Sequence, residues 1–388
     1  MLKDFSVSAV LAGFVAVLVG FTSSVAVIFQ ATRNLEATPD QTASWLWGLG
    51  VGMAVASVAL SLKYRIPVLI AWSTPGAAVI AGAAADGNLS LPQAIGAFMM
   101  CAAMMALAGF SGAFERVMNR LPMPLASALL AGVLSKFALE ACVVLPESPV
   151  LVLSMSVAYV IGRVFWPRAN VPVILALGVC IAAAQGNFHG EHVPLGLTRP
   201  VWVMPEFSLS VWIGVAVPLF IVTMASQNLP GLAVFRVNGY QPPVSKLIGW
   251  AGVTNLLVAP CGGFTLNLAA ITAAFCMGPD AHPDPSKRYV SAMAAGLFYG
   301  VIGLFGATIV GLMAAFPSEL IVALAGLALL GTIGSGLASA TADARYREAA
   351  VISYFVVLSG ISVAGIGSAF WGIVAGGAVV LVRKLARE

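Results

Sequence analysis

Ile66-Pro67-Val68-Leu69-Ile70-Ala71-Trp72-Ser73-Thr74-Pro75-Gly76-Ala77-Ala78-Val79-Ile80 carries no charge, yet it has a proline in the middle of what would otherwise read as a bilayer-crossing helix. Proline costs about 3 kcal/mol in a helix interior but suits the first helical turn, and Ser73 and Thr74 just before it are N-cap types. The stretch reads as extended backbone to Thr74 and a half-length helix from Pro75 to about Ala85. Ala259-Pro260-Cys261-Gly262-Gly263-Phe264-Thr265-Leu266-Asn267-Leu268-Ala269-Ala270-Ile271-Thr272 repeats the device. It sits in a charge-free run of 33 residues, 247 to 279, about 50 Å long as helix, which one crossing cannot use. Extended backbone to about Leu266 and a helix from Asn267 would put a second helix N-terminus at the depth of the first.

A helix N-terminus carries roughly half a positive charge and free N–H groups, so two that face one another form an anion site without a buried Arg or Lys. Ser73, Thr74, Pro75 and Gly76 from the first break, and Gly263, Phe264, Thr265, Leu266 and Asn267 from the second, are candidate substrate contacts. The alternative is that these Pro and Gly residues merely kink packed helices.

Of 388 residues, 60% are hydrophobic and 9% charged, against about 25% charged in soluble domains. A hydrocarbon core about 30 Å thick takes roughly 20 apolar residues per helix. Apolar runs and Pro, Gly and charge breaks place spans near 6 to 31, 42 to 62, 66 to 85, 89 to 113, 124 to 145, 147 to 166, 171 to 187, 207 to 230, 243 to 259, 261 to 277, 288 to 315, 319 to 340, 346 to 364 and 366 to 384. The expected class is thus an all-α polytopic membrane protein of fourteen transmembrane segments, with segments 3 and 10 each an extended stretch plus half-helix. The first run is too long for the apolar region of a cleavable signal peptide and reads as a membrane helix.

With both termini cytoplasmic, sixteen of the nineteen Lys and Arg residues fall on the inside: Lys3, Lys63, Arg65, Arg116, Arg120, Arg163, Arg168, Arg236, Lys246, Lys287, Arg288, Arg345, Arg347, Arg383, Lys384 and Arg387. Arg33 and Arg199 remain outside and Lys136 lies within a span, a strong positive-inside bias. The longest polar connection, Gly186 to Glu206, leaves seven spans on each side, so the second half enters from the opposite face. Residues 1–195 and 196–388 therefore read as two inverted repeats, the plan of secondary transporters with a site near the midplane.

In the first segment Thr22, Ser23 and Ser24 are polar within an apolar helix, as are Ser226, Gln227 and Asn228 in its counterpart, the eighth. Hydroxyls there either bond their own backbone or touch substrate, whereas the amides of Gln227 and Asn228 are costly to bury unpaired and point to substrate or half-helix contact. Phe21, Phe29 and Phe264 are candidates for an apolar wall, or core. Lys136 and Glu140, spaced i, i+4, read as a structural pair, a gate or a protonation site. His189, His192 and His282 fall in loops, and Asp343, Arg345, Arg347 and Glu348 read as solvated surface. The five cysteines lie in apolar segments without metal-ligand spacing, so no metal or cofactor is expected. The basic balance belongs to loops and implies no nucleic-acid partner. An enzyme would need catalytic acids, metal ligands or an activated nucleophile in the spans, and none is visible. A channel is less consistent with broken helices in both halves than alternating access is.

Gly20-Phe-Thr-Ser-Ser-Val-Ala-Val-Ile-Phe-Gln-Ala, Trp72-Ser-Thr-Pro-Gly-Ala-Ala, Ala225-Ser-Gln-Asn-Leu-Pro-Gly-Leu-Ala-Val-Phe-Arg-Val-Asn-Gly-Tyr and Ala259-Pro-Cys-Gly-Gly-Phe-Thr-Leu-Asn-Leu-Ala-Ala together resemble the BenE family of bacterial benzoate/proton symporters. The resemblance covers essentially the whole chain. It implies uptake of an aromatic carboxylate with protons across the bacterial inner membrane, on a fold similar to that of nucleobase and of sulfate or bicarbonate transporters. Segments 1–4 and 8–11 would form a core domain. Segments 5–7 and 12–14 would form a gate domain that often also dimerises, and membrane lipid would surround both. In the nucleobase relatives acidic residues hold substrate and proton at positions matching those near Gln227 and Asn267. Both are neutral here, which leaves proton coupling unassigned but suits a carboxylate that a buried acid would repel. A permease for another small anion or a nucleobase is the alternative on the same fold.

Overall fold

The computed structural model describes residues 4, 6–22, 24–85, 87, 89–112, 122–166, 170–187, 195–269, 271–279, 281–361, 363 and 368–385. Ser23, His189 and His192, and Lys3, Arg116, Arg120, Arg168 and Arg387 of the charge count, lie outside the described residues. Helix dominates, as it must where hydrocarbon offers the backbone no partners.

Where one helix is expected over 6 to 31, the chain forms α1 (Val7–Thr22) and α2 (Val25–Asn34). Thr22 Oγ1 donates to Leu18 O (2.7 Å) and Ser24 Oγ to Gly20 O (2.6 Å), so both hydroxyls bond carbonyls of the last turn of α1, and the two helices together are long enough for one crossing. Next come α3 (Pro39–Tyr64), strand β1 (Ile70–Trp72), α4 (Thr74–Ala85), α5 (Leu91–Phe110), α6 (Met123–Val143), α7 (Pro149–Phe165) and α8 (Asn170–Ala184). Both α3 and α5 open with full capping boxes, Thr38 with Gln41 and Ser90 with Gln93.

An extended segment then runs over the molecule to α9, a helical run from Leu209 to Val237 interrupted by π-turns at Trp212–Ala216 and Met224–Asn228. There follow α10 (Val244–Val258), a 3-10 turn Ala259–Cys261, strand β2 (Leu266–Leu268) and α11 (Ile271–Met277). The chain ends with α12 (Tyr289–Leu304), α13 (Gly306–Ala314), α14 (Ser318–Ala342), α15 (Arg347–Leu358) and α16 (Ser368–Leu385). The single helix expected over 288 to 315 is bent by 64° at Phe305. There the extended segment intervenes: Thr198 N donates to Leu304 O (2.8 Å) and Thr198 Oγ1 accepts from Ala307 N (3.0 Å), satisfying the groups the bend frees.

Eight described helical stretches are long and apolar enough to cross a bilayer, or nine with the bent pair as one. A count of fourteen also needs the shorter elements. The all-α expectation is amended at the two breaks. The extended stretches are paired strands, antiparallel with Ile70 opposite Leu268, Ala71 opposite Asn267 and Trp72 opposite Leu266. Ile70, Leu266 and Leu268 are fully buried, so the pair lies inside the protein.

Side chains meet backbone groups on each outer edge of this ribbon. On β1, Ser57 Oγ accepts from Ile70 N (2.9 Å), while Ser61 Oγ accepts from Val68 N (3.0 Å) and donates to Val68 O (2.9 Å). On β2, Leu268 N donates to Asn228 Oδ1 (3.0 Å). Gly262 makes the turn into this segment at φ +92, where an added Cβ would run into the Trp45 ring.

The first break lies close to where it is expected, with Thr74 rather than Pro75 as the first helical residue. Its cap is the Ser73 hydroxyl, which accepts from Gly76 N at 2.9 Å and from Thr223 Oγ1 at 3.2 Å. The second break runs later than expected. Asn267 is in the strand, and the helix opens only at Ile271. Ser73→Ala is expected to destabilise the detergent-solubilised protein by about 1–3 kcal/mol, since it removes a cap and strands a buried partner hydroxyl. Thr74→Val should leave stability near wild type. Thermal unfolding followed by circular dichroism decides, and equal shifts for the two variants would return the cap to Thr74.

Candidate functional site

Beside the strand ribbon is a cavity of about 410 Å³, within the range of small-molecule sites. One side is built from both breaks and their partner helices: Ser24, Trp72, Thr74, Gln227, Ala269 and Thr272. Helices α6 and α14 form the other side, where Ser127, Leu130, Leu134, Leu329, Thr332 and Ser339 face the first set. No Asp, Glu, His, Lys or Arg is among the described lining residues. The site is neutral, with hydroxyls and one amide as its polar groups.

The π-turn at Met224–Asn228 sorts two adjacent amides into different surroundings. Gln227 is half-buried on the cavity wall, and its amide makes no hydrogen bond to another described residue. Asn228 is fully buried and faces away, where its oxygen holds the β2 backbone and its nitrogen meets Met224 Sδ at 3.4 Å. Thr74 and Pro75 line the cavity, whereas Ser73 lies beneath it as the cap. Gly76 is the closest crossing of α4 over the second break, since a Cβ there would sit 2.7 Å from Thr265 Oγ1.

Gly263, Phe264, Thr265, Leu266 and Asn267 are off the cavity and buried. Thr265 takes a φ of +23, and its carbonyl accepts from Ser73 N (3.0 Å) and Asn267 Nδ2 (3.1 Å). Thr265 Oγ1 and Asn267 Oδ1 have no partner among the described residues. On the first-segment side, Ser24 Oγ accepts from Trp72 Nε1 at 2.8 Å. Thr22 is committed to its own helix and is not on the wall.

The first half-helix offers less than a bare N-terminus would. Pro75 has no N–H, the Gly76 N–H is held by Ser73 Oγ, and the Ala77 N–H goes to Ser73 O (2.8 Å). What α4 presents to the cavity is its dipole and the Thr74 hydroxyl. The aromatic wall also differs from the one sought. Phe264 packs against Trp45 (5.7 Å) and Phe98 (5.9 Å) in the core, and Phe29 lines a different cavity. Trp72 supplies the wall instead, edge-on to Phe21 (5.9 Å) and Tyr299 (5.7 Å). Trp72 was readable as the residue just before the Ser-Thr-Pro break. Tyr299 and the α6 and α14 residues had no local signal, because only the fold brings them to the site.

Lys136 and Glu140 are not joined in an ion pair among the described residues. Glu140 accepts a hydrogen bond from Gln30 Nε2 of α2, while Lys136 borders a separate small void with Val79, Gly82 and Gly214. His282 stays in its loop, bonded through Nδ1 to Asp284 N (3.0 Å). Arg345 bonds Asp343 at 2.8 Å and holds its carboxyl below the usual carboxylate range.

The family model for benzoate membrane transport proteins, BenE, matches residues 3–382. "Inner membrane protein YdcO" of Escherichia coli (strain K12) is 44% identical over 97% of this chain and 95% of its own length. "Benzoate membrane transport protein" of Acinetobacter baylyi (strain ATCC 33305 / BD413 / ADP1) is 36% identical over 96% and 94%. Among solved structures, the transmembrane domain of the cyanobacterial bicarbonate transporter BicA superposes with a TM-score of 0.61 at 15% identity, over 96% of this chain and 97% of that one. SLC26A9 gives 0.65 at 12% identity over 99% of this chain and 66% of that one. At such identities the likeness is one of fold. By family match and by relatives aligned over nearly its full length, the chain belongs to the BenE family of benzoate membrane transport proteins.

Proposed function

We propose that this protein imports benzoate or a similar aromatic carboxylate together with protons, by alternating access across the bacterial inner membrane. The observation that carries this reading is the neutral cavity edged by Trp72 and Tyr299, in a chain of the benzoate-transport family. An aromatic ring would lie against Trp72, Leu130 and Leu134. Its carboxylate would take hydrogen bonds from the Gln227 amide and the Thr74 hydroxyl near the positive end of α4. Ser73, Pro75, Gly76, Asn228 and residues 263–267 then act mainly by shaping the breaks, with Thr22 bonded to its own helix and Ser24 orienting Trp72. Benzoate, with a carboxyl pKa of about 4, is an anion at neutral pH. Inward movement of one negative charge against a membrane potential costs about 2.3 kcal/mol per 100 mV, so a co-transported proton makes the step neutral.

The topology proposed is fourteen crossings in two inverted repeats, 1–195 and 196–388, with both termini cytoplasmic. On this reading α1–α5 and α9–α13 form the core, and α6–α8 with α14–α16 the gate and a homodimer surface. Cavity walls drawn from both sets support a site at the seam. The cavity borders α6 between Met123 and Leu134 and α14 between Ala328 and Ser339, the halves that the charge bias assigns to the cytoplasm. Farther along, α6 and α14 close up: a Cβ on Gly326 would sit 2.7 Å from Phe137 O. The conformation is read as inward-facing.

Gln227→Ala is expected to raise the KM for benzoate about 10- to 100-fold, the worth of a hydrogen bond to a charged group, with folding intact. Asn228→Ala should instead lower the yield and thermal stability, because it leaves Leu268 N unpaired. Uptake rates beside melting curves distinguish the two, and unchanged affinity in Gln227→Ala removes the amide from the site. Labelled benzoate uptake into proteoliposomes should require an inward proton gradient and resist competition by uracil and sulfate. Gradient-independent uptake would refute the coupling, and inhibition by either competitor would refute the substrate class.

A further inference from the structure

A second cavity, of about 440 Å³, lies where α2 meets α13 and α14. Its mouth is formed by the connections after Asn34 and Ala314, which the charge bias assigns to the outside, opposite to the cytoplasmic side of the central cavity. Phe29, Val310, Met313, Ile321 and Val322 make one wall apolar. Among the polar residues facing them, Gln30 is bonded to Glu140, and Asn34 Nδ2 donates to Ala81 O at 2.9 Å. Arg33 is exposed, and its guanidinium makes no ion pair or hydrogen bond with any described residue. Glu36 also lines the space without pairing with it. Arg33 is one of only two cations that the charge bias leaves outside, the other being Arg199.

An apolar wall facing a guanidinium matches an aromatic carboxylate, ring on one side and anion on the other. We infer that this vestibule is an outer capture site, where Arg33 draws in and orients the carboxylate before it reaches the central cavity. The inference rests on the aromatic-carboxylate reading. The Gln30 to Glu140 hydrogen bond joins α2 to α6 at the inner edge of the vestibule, so in this conformation capture and delivery are separate steps.

The vestibule acts through charge at the surface, so it raises encounter rate and apparent affinity from one side and is screened by salt. The test uses Arg33→Gln and Arg33→Lys in vesicles of defined orientation, with initial rates of labelled benzoate uptake and efflux. At about 10 mM salt, Arg33→Gln is expected to raise the uptake KM about three- to tenfold with Vmax retained. The gap should close at about 0.5 M salt. Efflux KM should be unchanged, and Arg33→Lys should fall between. Arg33 also sits in the last turn of α2, where a cation complements the dipole. That role alone would shift thermal stability without moving KM. Unchanged uptake KM in Arg33→Gln beside working wild-type uptake overturns the vestibule and leaves the transport reading standing. A wild type that does not move benzoate overturns both.

Discussion

The structure depends on one constraint: two three-residue strands are buried within an apolar helix bundle, and every backbone group on them must find a partner. Pairing with each other satisfies only the inner edges. Ser57 of α3 accepts from Ile70 N on one outer edge, Ser61 holds Val68 just before it, and Asn228 of α9 supplies an acceptor to the other edge. These polar residues sit in helices far apart in sequence, and together they hold α3, both breaks and α9 as one unit. An unpaired buried amide costs about 1–3 kcal/mol, so loss of any of them is felt across the unit.

That constraint also shapes the site. The polar groups nearest the crossing are mostly consumed by the protein itself: Ser73 by the first turn of α4, Asn228 by β2, and Ser24 by the Gly20 carbonyl and the Trp72 indole. Gln227, one residue from Asn228 in the same π-turn, lines the cavity while Asn228 turns to β2. Backbone support and cavity lining are thus divided between neighbouring side chains. The cavity has no charged side chain among its described lining residues, so the anion proposed for it would be held by dipoles and neutral donors.

Both breaks were legible because proline and glycine leave few backbone choices. Pro75 after Ser73-Thr74 could only begin a helix, and Pro260-Cys-Gly-Gly could only end one. The fates of Asn267 and Phe264 were not legible. Whether a residue after such a break is strand, turn or helix depends on what lies across from it, and here β1 draws Leu266 to Leu268 into a ladder. The bend in the eleventh segment was not legible for a related reason. The partner of the Phe305 bend, Thr198, is over one hundred residues away in sequence. Likewise nothing local separates Thr22 and Ser24, which bond their own helix, from hydroxyls that meet a ligand.

The same division bears on how the molecule moves. The strand crossing joins elements of both halves of the chain through backbone hydrogen bonds, so in the proposed transport cycle it would move as a rigid piece. Contacts between that piece and α6 or α14 are of another kind: small residues, hydroxyls, leucines, and a hydrogen bond from Gln30 to Glu140. A seam of that composition slides at far smaller cost than a strand ladder opens, because it strands no backbone group when it parts. On the proposed reading, a substrate between Gln227 and Thr74 on one side and apolar residues of α6 and α14 on the other would travel with the crossing. The proposed alternating access would then follow from where hydrogen bonds are dense and where they are sparse.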